Sequence, residues 1–437
     1  MSDFGLLSPD RAARVLTALP ASALPAPVAR WAGGLAAASD PVAAYGYLPD
    51  VAAARAAELR AVLPAWAAVC FALKANGFAP VLDALGTVVD GFEVSSRREL
   101  AAARAAWGTR SAAPLLVSSG PAKSDALLDA LLAAGGTVNV ESGLELHRAA
   151  AAGRRAGRRA AVCVRVNPLD VPVAGDLTMG GAASPFGVPE EDVPALLDAA
   201  RTLADDLEVV GVHVHAASNV ADAGAYARYA AWVLDYATGL AAAHRLALRI
   251  VDVGGGLGLD ATGESPFDLG LLGSGLAALD PPPGLRVILE PGRWIAAPCG
   301  WYAAPIADVK AVRGRTFVVL RGGVNHFLLP ASWDLPQPLA VVPVDAWDAR
   351  LPRPAVHGAR ATVAGELCTP EDTLVPEVDG VTARAGDVAV LPCAGAYGWE
   401  FGLHEFLGHP LAPRVVLEHD ARRPSPALVA ASPGDRT

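Results

Sequence analysis

The chain has 437 residues and a formal net charge of -10 that is spread along its length, with no lysine/arginine block interleaved with aromatics, which argues against a nucleic-acid surface. Its five cysteines (Cys70, Cys163, Cys299, Cys368, Cys393) are odd in number and lack CxxC spacing, so reduced thiols in a cytosol are expected rather than a disulfide framework or a zinc or other metal site. Alanine supplies much of the hydrophobic content, no apolar run is long enough to span a bilayer, and MSDFGLLSPD does not read as a secretory signal, so a cytoplasmic protein without a membrane partner is expected.

Residues 1–42 are rich in Pro and Ala and are expected to pack on a β domain. Between 66 and 293 a unit then repeats: a short β-branched or apolar run, a polar turn, and an Ala/Leu-rich helical stretch. The runs are AAVCFALKA (67–75), VVDGFEVSS (88–96), PLLVSSG (114–120), TVNVES (137–142), AVCVRVNP (161–168), VVGVHVHAAS (209–218), RIVDVGGG (249–256) and RVILEPGR (286–293). Eight strands alternating with helices over about 250 residues fit a (β/α)8 TIM barrel, placed at 43–300. A doubly wound open sheet could also use eight strands. From 301 to 420 the helical period fades, and TFVVL, AVVPV, ARATVAG, GDVAVL and PRVVLE alternate with Pro/Gly turns, which predicts a C-terminal all-β, Greek-key-like domain. The tail 421–437 reads as disordered.

In such a barrel the chemistry gathers at the C-terminal ends of the strands. Lys74 ends the first run, Glu93 and Ser95 the second, Asn139 and Glu141 the fourth, Arg165 and Asn167 the fifth. His213, His215 and Ser218 end the sixth, Gly254, Gly255 and Gly256 the seventh, Glu290 and Arg293 the eighth. Each has an ordinary alternative: a solvated lysine, a turn of glycines, core histidines, an incidental ion pair. Their coincidence at the strand ends of one barrel is what points to a site. Of the chain's three lysines, Lys123 and Lys310 show no comparable setting.

The motifs FALKAN, GFEVSSRREL, NVESGLEL, VRVNP, SPFGV, GVHVHAASN, VDVGGGLG, LEPGR, GELCTPEDTL and GAYG, in this order from about Tyr45 to Glu418, resemble the pyridoxal-phosphate decarboxylases of the alanine-racemase-like fold type, the ornithine, arginine and diaminopimelate decarboxylase family. The resemblance implies pyridoxal 5'-phosphate as cofactor and a homodimer with active sites at the subunit interface. It implies that Lys74 carries the cofactor as a Schiff base, that His215 stacks on its ring, and that Ser218, Gly254, Gly255, Gly256, Arg293 and Tyr397 hold its phosphate. Glu290 would face the ring nitrogen, and Glu93 stands where the family usually has an aspartate near the lysine. Cys368 from the second subunit would be the proton donor over the reacting carbon, whereas Cys163 reads as core. A carboxylate at the ring nitrogen favours its protonated form and hence decarboxylation over racemisation, the alternative within the enzyme class. A binding relative without catalysis would be expected to have lost the lysine or the glycine loop.

Where diaminopimelate enzymes grip the substrate's far end with an arginine, a tyrosine and a glutamate, this chain has Leu329, Trp333 and Thr369. Ornithine enzymes use an aspartate at the position of Thr369, and Pro185 replaces the family's SKFG lysine. Neither diaminopimelate nor ornithine is therefore the expected substrate. The segments VNHF and HEFLGHP, with His326, His404 and His409, resemble a branch that decarboxylates modified amino acids in siderophore and other secondary metabolism. Arg165, Thr369, His326 and His404 are the candidates for substrate contact.

Overall fold

In the computed structural model, which describes residues 15–36, 42–175, 177–178 and 183–418, the eight expected runs become eight parallel strands. They are β1 (Ala67–Ala72), β2 (Gly91–Val94), β3 (Leu115–Ser118), β4 (Thr137–Val140), β5 (Ala160–Asn167), β6 (Leu207–His213), β7 (Ile250–Asp252) and β8 (Arg286–Leu289). Each pairs with the next, and β8 pairs with β1 through Val287–Ala67, Ile288–Ala68 and Leu289–Val69. The sheet is therefore closed, and the open-sheet alternative falls away. Strands covered on both faces read as continuous apolar runs, and Ala68, Cys70, Val117 and Ile288 meet in the barrel interior.

Helix starts fix the strand ends that precede them. Ser96 accepts from the Glu99 amide and Ser142 from the Glu145 amide, while the Glu99 and Glu145 carboxylates reach back to the amides of Ser95 and Glu141. These Ser-x-x-Glu pairs satisfy orphan helix donors, and they hold the chain just beyond β2 and β4 in place. The helix Ala223–His244, capped by Asp222, sends the Tyr226 and Tyr229 hydroxyls back to backbone carbonyls beyond β6 and β7.

Two compact units divide the chain, one made of 52–259 and 266–295, the other of 1–51, 260–265 and 296–437. The second unit is built on a mixed nine-stranded sheet. Gly300–Val312 runs antiparallel to Arg315–Leu320 and Val388–Leu391, while Arg315–Leu320 lies parallel to Ala355–Ala364. Two of its longest strands, Gly300–Val312 and Thr373–Arg384, were not among the runs singled out, because Pro305, Pro376 and Gly380 interrupt their patterns. Ala44–Tyr47 also belongs here, between Gly300–Ala303 and Arg414–Val416, so residue 43 falls next to a strand of this sheet. The helix Ala26–Leu35 packs Val28 and Ala32 against Trp301, Val388 and Val390. Residues 1–14 and the tail 421–437 lie outside the described residues. No helix among the described residues is long and apolar enough to cross a membrane.

Candidate active site

Beyond β1 the chain makes a 3-10 turn, Leu73–Ala75, which leaves the Lys74 side chain 46% exposed. Its Nζ lies 3.1 Å from Oε2 of Glu93, which β2 buries completely. The Ser95 hydroxyl donates to Glu93 Oε1 at 3.2 Å. An amine reachable from solvent is thus held against a buried carboxylate.

His213 ends β6, Asp252 ends β7 and Glu290 follows β8, and one ligand atom from each lies within 4.8 Å of the others. All three are buried. Burial pushes the Glu290 carboxyl well up, and the neighbouring Asp252 pushes it further. Burial raises Asp252 to about 6, and it drives the His213 imidazole well down, reinforced by Arg165. Both His213 nitrogens, Asp252 Oδ2, Glu290 Oε1 and Asn139 Oδ1 have no hydrogen-bond partner. Buried polar atoms are rarely left so. Their gathering at the C-terminal ends of β4, β6, β7 and β8 marks a place for a polar ligand.

The glycine loop borders this cluster. Gly254 and Gly256 have φ of 68° and 103°, in the region that favours glycine. A side chain at 254 would run into the His215 ring, one at 255 into the Glu290 carbonyl and one at 256 into the Ala217 carbonyl. Asp252 Oδ1 accepts from the Gly254 amide at 2.9 Å, and the Gly254 carbonyl accepts from the Glu290 amide at 2.8 Å. His215 Nδ1 accepts from the Gly255 amide at 3.2 Å, and Nε2 lies 3.4 Å from the Ser218 hydroxyl. Burial, with Lys74 nearby, lowers His215 to about 3, so its ring is neutral at working pH. Arg293 opens a short helix three residues after Glu290. The residues present fit pyridoxal 5'-phosphate by their chemistry: an amine for its aldehyde, close-packed glycine backbone for its phosphate, and buried carboxyls with unused atoms for its ring nitrogen.

Sequence reasoning passed over two members of this region. Asp252 carried a readable signal, an acid in an apolar strand two residues before a glycine loop. Lys123 was expected to have no special setting, and the structure corrects this: it is 3% exposed, donating to the carbonyls of Gly120 and Asn139 and to both oxygens of Glu145 at 3.0 Å. Burial lowers its pKa. Glu141 stands beside it, taking Arg165 Nη1 at 2.9 Å and the amides of Gly120 and Gly187. Arg165 also stacks 5.0 Å from the Phe186 ring. Arg165 is therefore held by Glu141 and Phe186.

Tyr397, Cys368, Thr369, His326 and His404 belong to the other unit. Cys368 is exposed, whereas Cys70, Cys163 and Cys299 are buried. Thr369 accepts from the Glu371 amide, and the buried Asp372 takes the amides of Val324 and Leu367, tying two loops together. Tyr397, at φ 66°, meets Trp333 edge-on at 5.1 Å, and Trp333 meets Phe401 at 5.2 Å. His326, a candidate for substrate contact, is 3% exposed with Nε2 at 2.7 Å from the Pro410 carbonyl, so its ring is committed to the fold of its own unit. His404 packs on Trp399 at 4.6 Å, and its Nε2 lies 2.9 Å from that residue's carbonyl.

A family model, the pyridoxal-binding domain of pyridoxal-dependent decarboxylases, matches residues 51–297. The 2-[(L-alanin-3-ylcarbamoyl)methyl]-2-hydroxybutanedioate decarboxylase of Staphylococcus aureus is 30% identical over 353 residues, 80% of this chain and 87% of that protein. An L-glutamyl acyl-carrier-protein decarboxylase of Niallia circulans is 28% identical over 76% of this chain and 78% of its own. The crystal structure of Helicobacter pylori diaminopimelate decarboxylase with L-lysine superposes with a TM-score of 0.75 at 25% identity, over 87% of this chain and 92% of that one.

Proposed function

We propose, from the premise that the chain belongs to the pyridoxal-dependent decarboxylase family, that its substrate is an amino acid joined to a larger group rather than a free diamino acid. The chain is a pyridoxal-phosphate-dependent amino-acid decarboxylase. The observation that carries the substrate reading is the replacement of the three groups with which diaminopimelate enzymes grip the substrate's far end. Leu329, Trp333 and Thr369 stand at those positions, and Trp333 is built into an aromatic cluster with Tyr397 and Phe401. The names of two relatives support it, one describing an alanine amide-linked through its side chain to a hydroxytricarboxylate, the other a glutamyl group on a carrier protein. On this reading the chain serves the making of a secondary metabolite.

When bound, the cofactor supplies the electron sink for the pair of electrons left on the α-carbon as carbon dioxide departs. Lys74 holds it by its amine, and Glu93 keeps that amine oriented at the barrel mouth. The glycine loop, Ser218 and Arg293 would take the phosphate, with Tyr397 added on the family resemblance alone. His215, neutral and fixed by the Gly255 amide, covers the ring face without adding charge. Glu290 holds a proton toward the ring nitrogen, which favours decarboxylation over racemisation. Cys368 returns a proton to the α-carbon.

We further propose a homodimer in which Cys368 serves the neighbouring subunit's site. Exposed Phe401, Leu403, Phe406, Leu407 and Leu411 crowd one stretch of the chain, an apolar surface that a second copy would cover. Five cysteines, odd in number and without CxxC spacing, suit a reducing cytoplasm. Carbon dioxide release measured across free basic and acidic amino acids and their citryl conjugates tests the substrate reading. Release from the conjugates is expected. Turnover of free diaminopimelate or ornithine with none from any conjugate would overturn it. Mixing Lys74→Ala with Cys368→Ala subunits tests the shared site, since one intact site per mixed dimer should regain activity.

A further inference from the structure

Asp252 is absent from the residues assigned above to the cofactor, yet it touches both ends of that site. Its Oδ1 holds the first amide of the glycine loop, and the same carboxyl lies in the buried cluster with Glu290 and His213. We propose that Asp252 is a positioning residue which shares a single negative charge with Glu290, so that Glu290 already carries a proton before the cofactor arrives.

Two carboxyls this close in a buried site do not both ionise near neutral pH, because each charge raises the other's cost and water cannot screen them. The asymmetry of their surroundings decides which one keeps the proton. Asp252 has a backbone amide to stabilise its anion, whereas Glu290 Oε1 has no partner. The directions agree: Asp252 is raised to about 6, Glu290 further, by burial first and Asp252 second. The facing groups are His213 on β6, Asn139 on β4, Glu93 on β2, Lys74 beyond β1, the Cys70 and Cys163 thiols on β1 and β5, and the Tyr226 and Tyr229 hydroxyls of the Ala223–His244 helix, thiols and phenols alike pushed up by burial and so neutral. His213 is neutral and 3.8 Å from Glu290, so it supplies no cation to discharge the pair. A protonated Glu290 would thus offer its proton to the ring nitrogen of a bound cofactor, with Asp252 supplying the compensating negative charge. One oxygen of the same aspartate sets the phosphate loop, so the two ends of the cofactor are registered through one side chain.

This rests on the cofactor reading above, but it is measured without turnover. Infrared spectra of full-length apoprotein should show a protonated-carboxyl stretch at pH 7 that Glu290→Gln abolishes. In Asp252→Asn, which keeps an acceptor for the Gly254 amide, the midpoint at which that stretch disappears should fall by about one pH unit, a ~10-fold loss of proton affinity. No stretch in the wild type, its survival in Glu290→Gln, or an unmoved midpoint in Asp252→Asn would each overturn the proposal. Should Asp252→Asn not fold, Asp252→Ser, whose hydroxyl can still accept from the Gly254 amide, gives the same midpoint readout. Failure of conjugate decarboxylation would leave these spectra unaffected, so the two readings fail separately.

Discussion

Glu141 and Arg165 meet at 2.9 Å at the ends of adjacent strands, both nearly sealed from water, with the buried Lys123 ammonium 3.8 Å from the same carboxylate oxygen. Removing one member of a buried ionic group strands the others, at ~3–5 kcal/mol. Glu141→Ala should therefore lower the thermal unfolding midpoint far more than loss of an exposed pair such as Arg155–Asp129, as a calorimetric scan of the two variants would show.

Gly255→Ala probes the cradle. Its φ is not positive, so backbone strain is not the issue; the methyl group meets the Glu290 carbonyl, which sits on the rigid end of β8. The loop must move, and cofactor affinity should fall at least ~10-fold, measured by fluorescence titration of apoprotein. An unchanged affinity would show that the loop does not hold the cofactor.

Lys74→Arg keeps a cation beside Glu93 but offers no amine for a carbonyl. It should fold with a melting midpoint close to that of the wild type and lack the cofactor's visible absorbance. Lys74→Ala should lose the absorbance as well, and it also leaves the buried Glu93 carboxylate without its cation.

Stability should depend on pH through Asp252. Its folded-state pKa, raised from 3.8 to about 6 chiefly by burial, contributes stability below about pH 4 that is lost as pH rises through 6. His215 runs the other way: lowered from 6.5 to about 3, it contributes stability above 6.5 that is lost as pH falls. Asp252→Asn should accordingly compare more favourably with the wild-type apoprotein at pH 7 than at pH 4 in urea midpoints.

The barrel was legible because its strands are short, apolar and separated by helices with their own serine caps, so each of the eight runs contains its observed strand or lies within a few residues of it. The cluster of Lys74, Glu93, His215, the glycine loop and Glu290 was legible from the same periodicity, which puts strand ends on one rim. Lys123 was not, since its burial depends on Glu145 and on carbonyls from two separate loops, contacts that no local pattern encodes. Nor were Gly300–Val312 and Thr373–Arg384, where prolines and a glycine mask strands whose partners lie far off in the chain. The surroundings of His326 were not legible either, since its ring lies against Tyr302 and the Pro410 carbonyl, contacts distant in sequence.

The strand Ala44–Tyr47 lies between Gly300–Ala303 and Arg414–Val416, although more than two hundred residues of barrel separate it from both. A fragment beginning at 296 would lack that strand and expose two unpaired sheet edges, a template for aggregation. The β unit is consequently not a cassette that recombination could move as one piece of coding sequence. Moving it intact would mean carrying the barrel's coding sequence along with it or rejoining the two parts of its own.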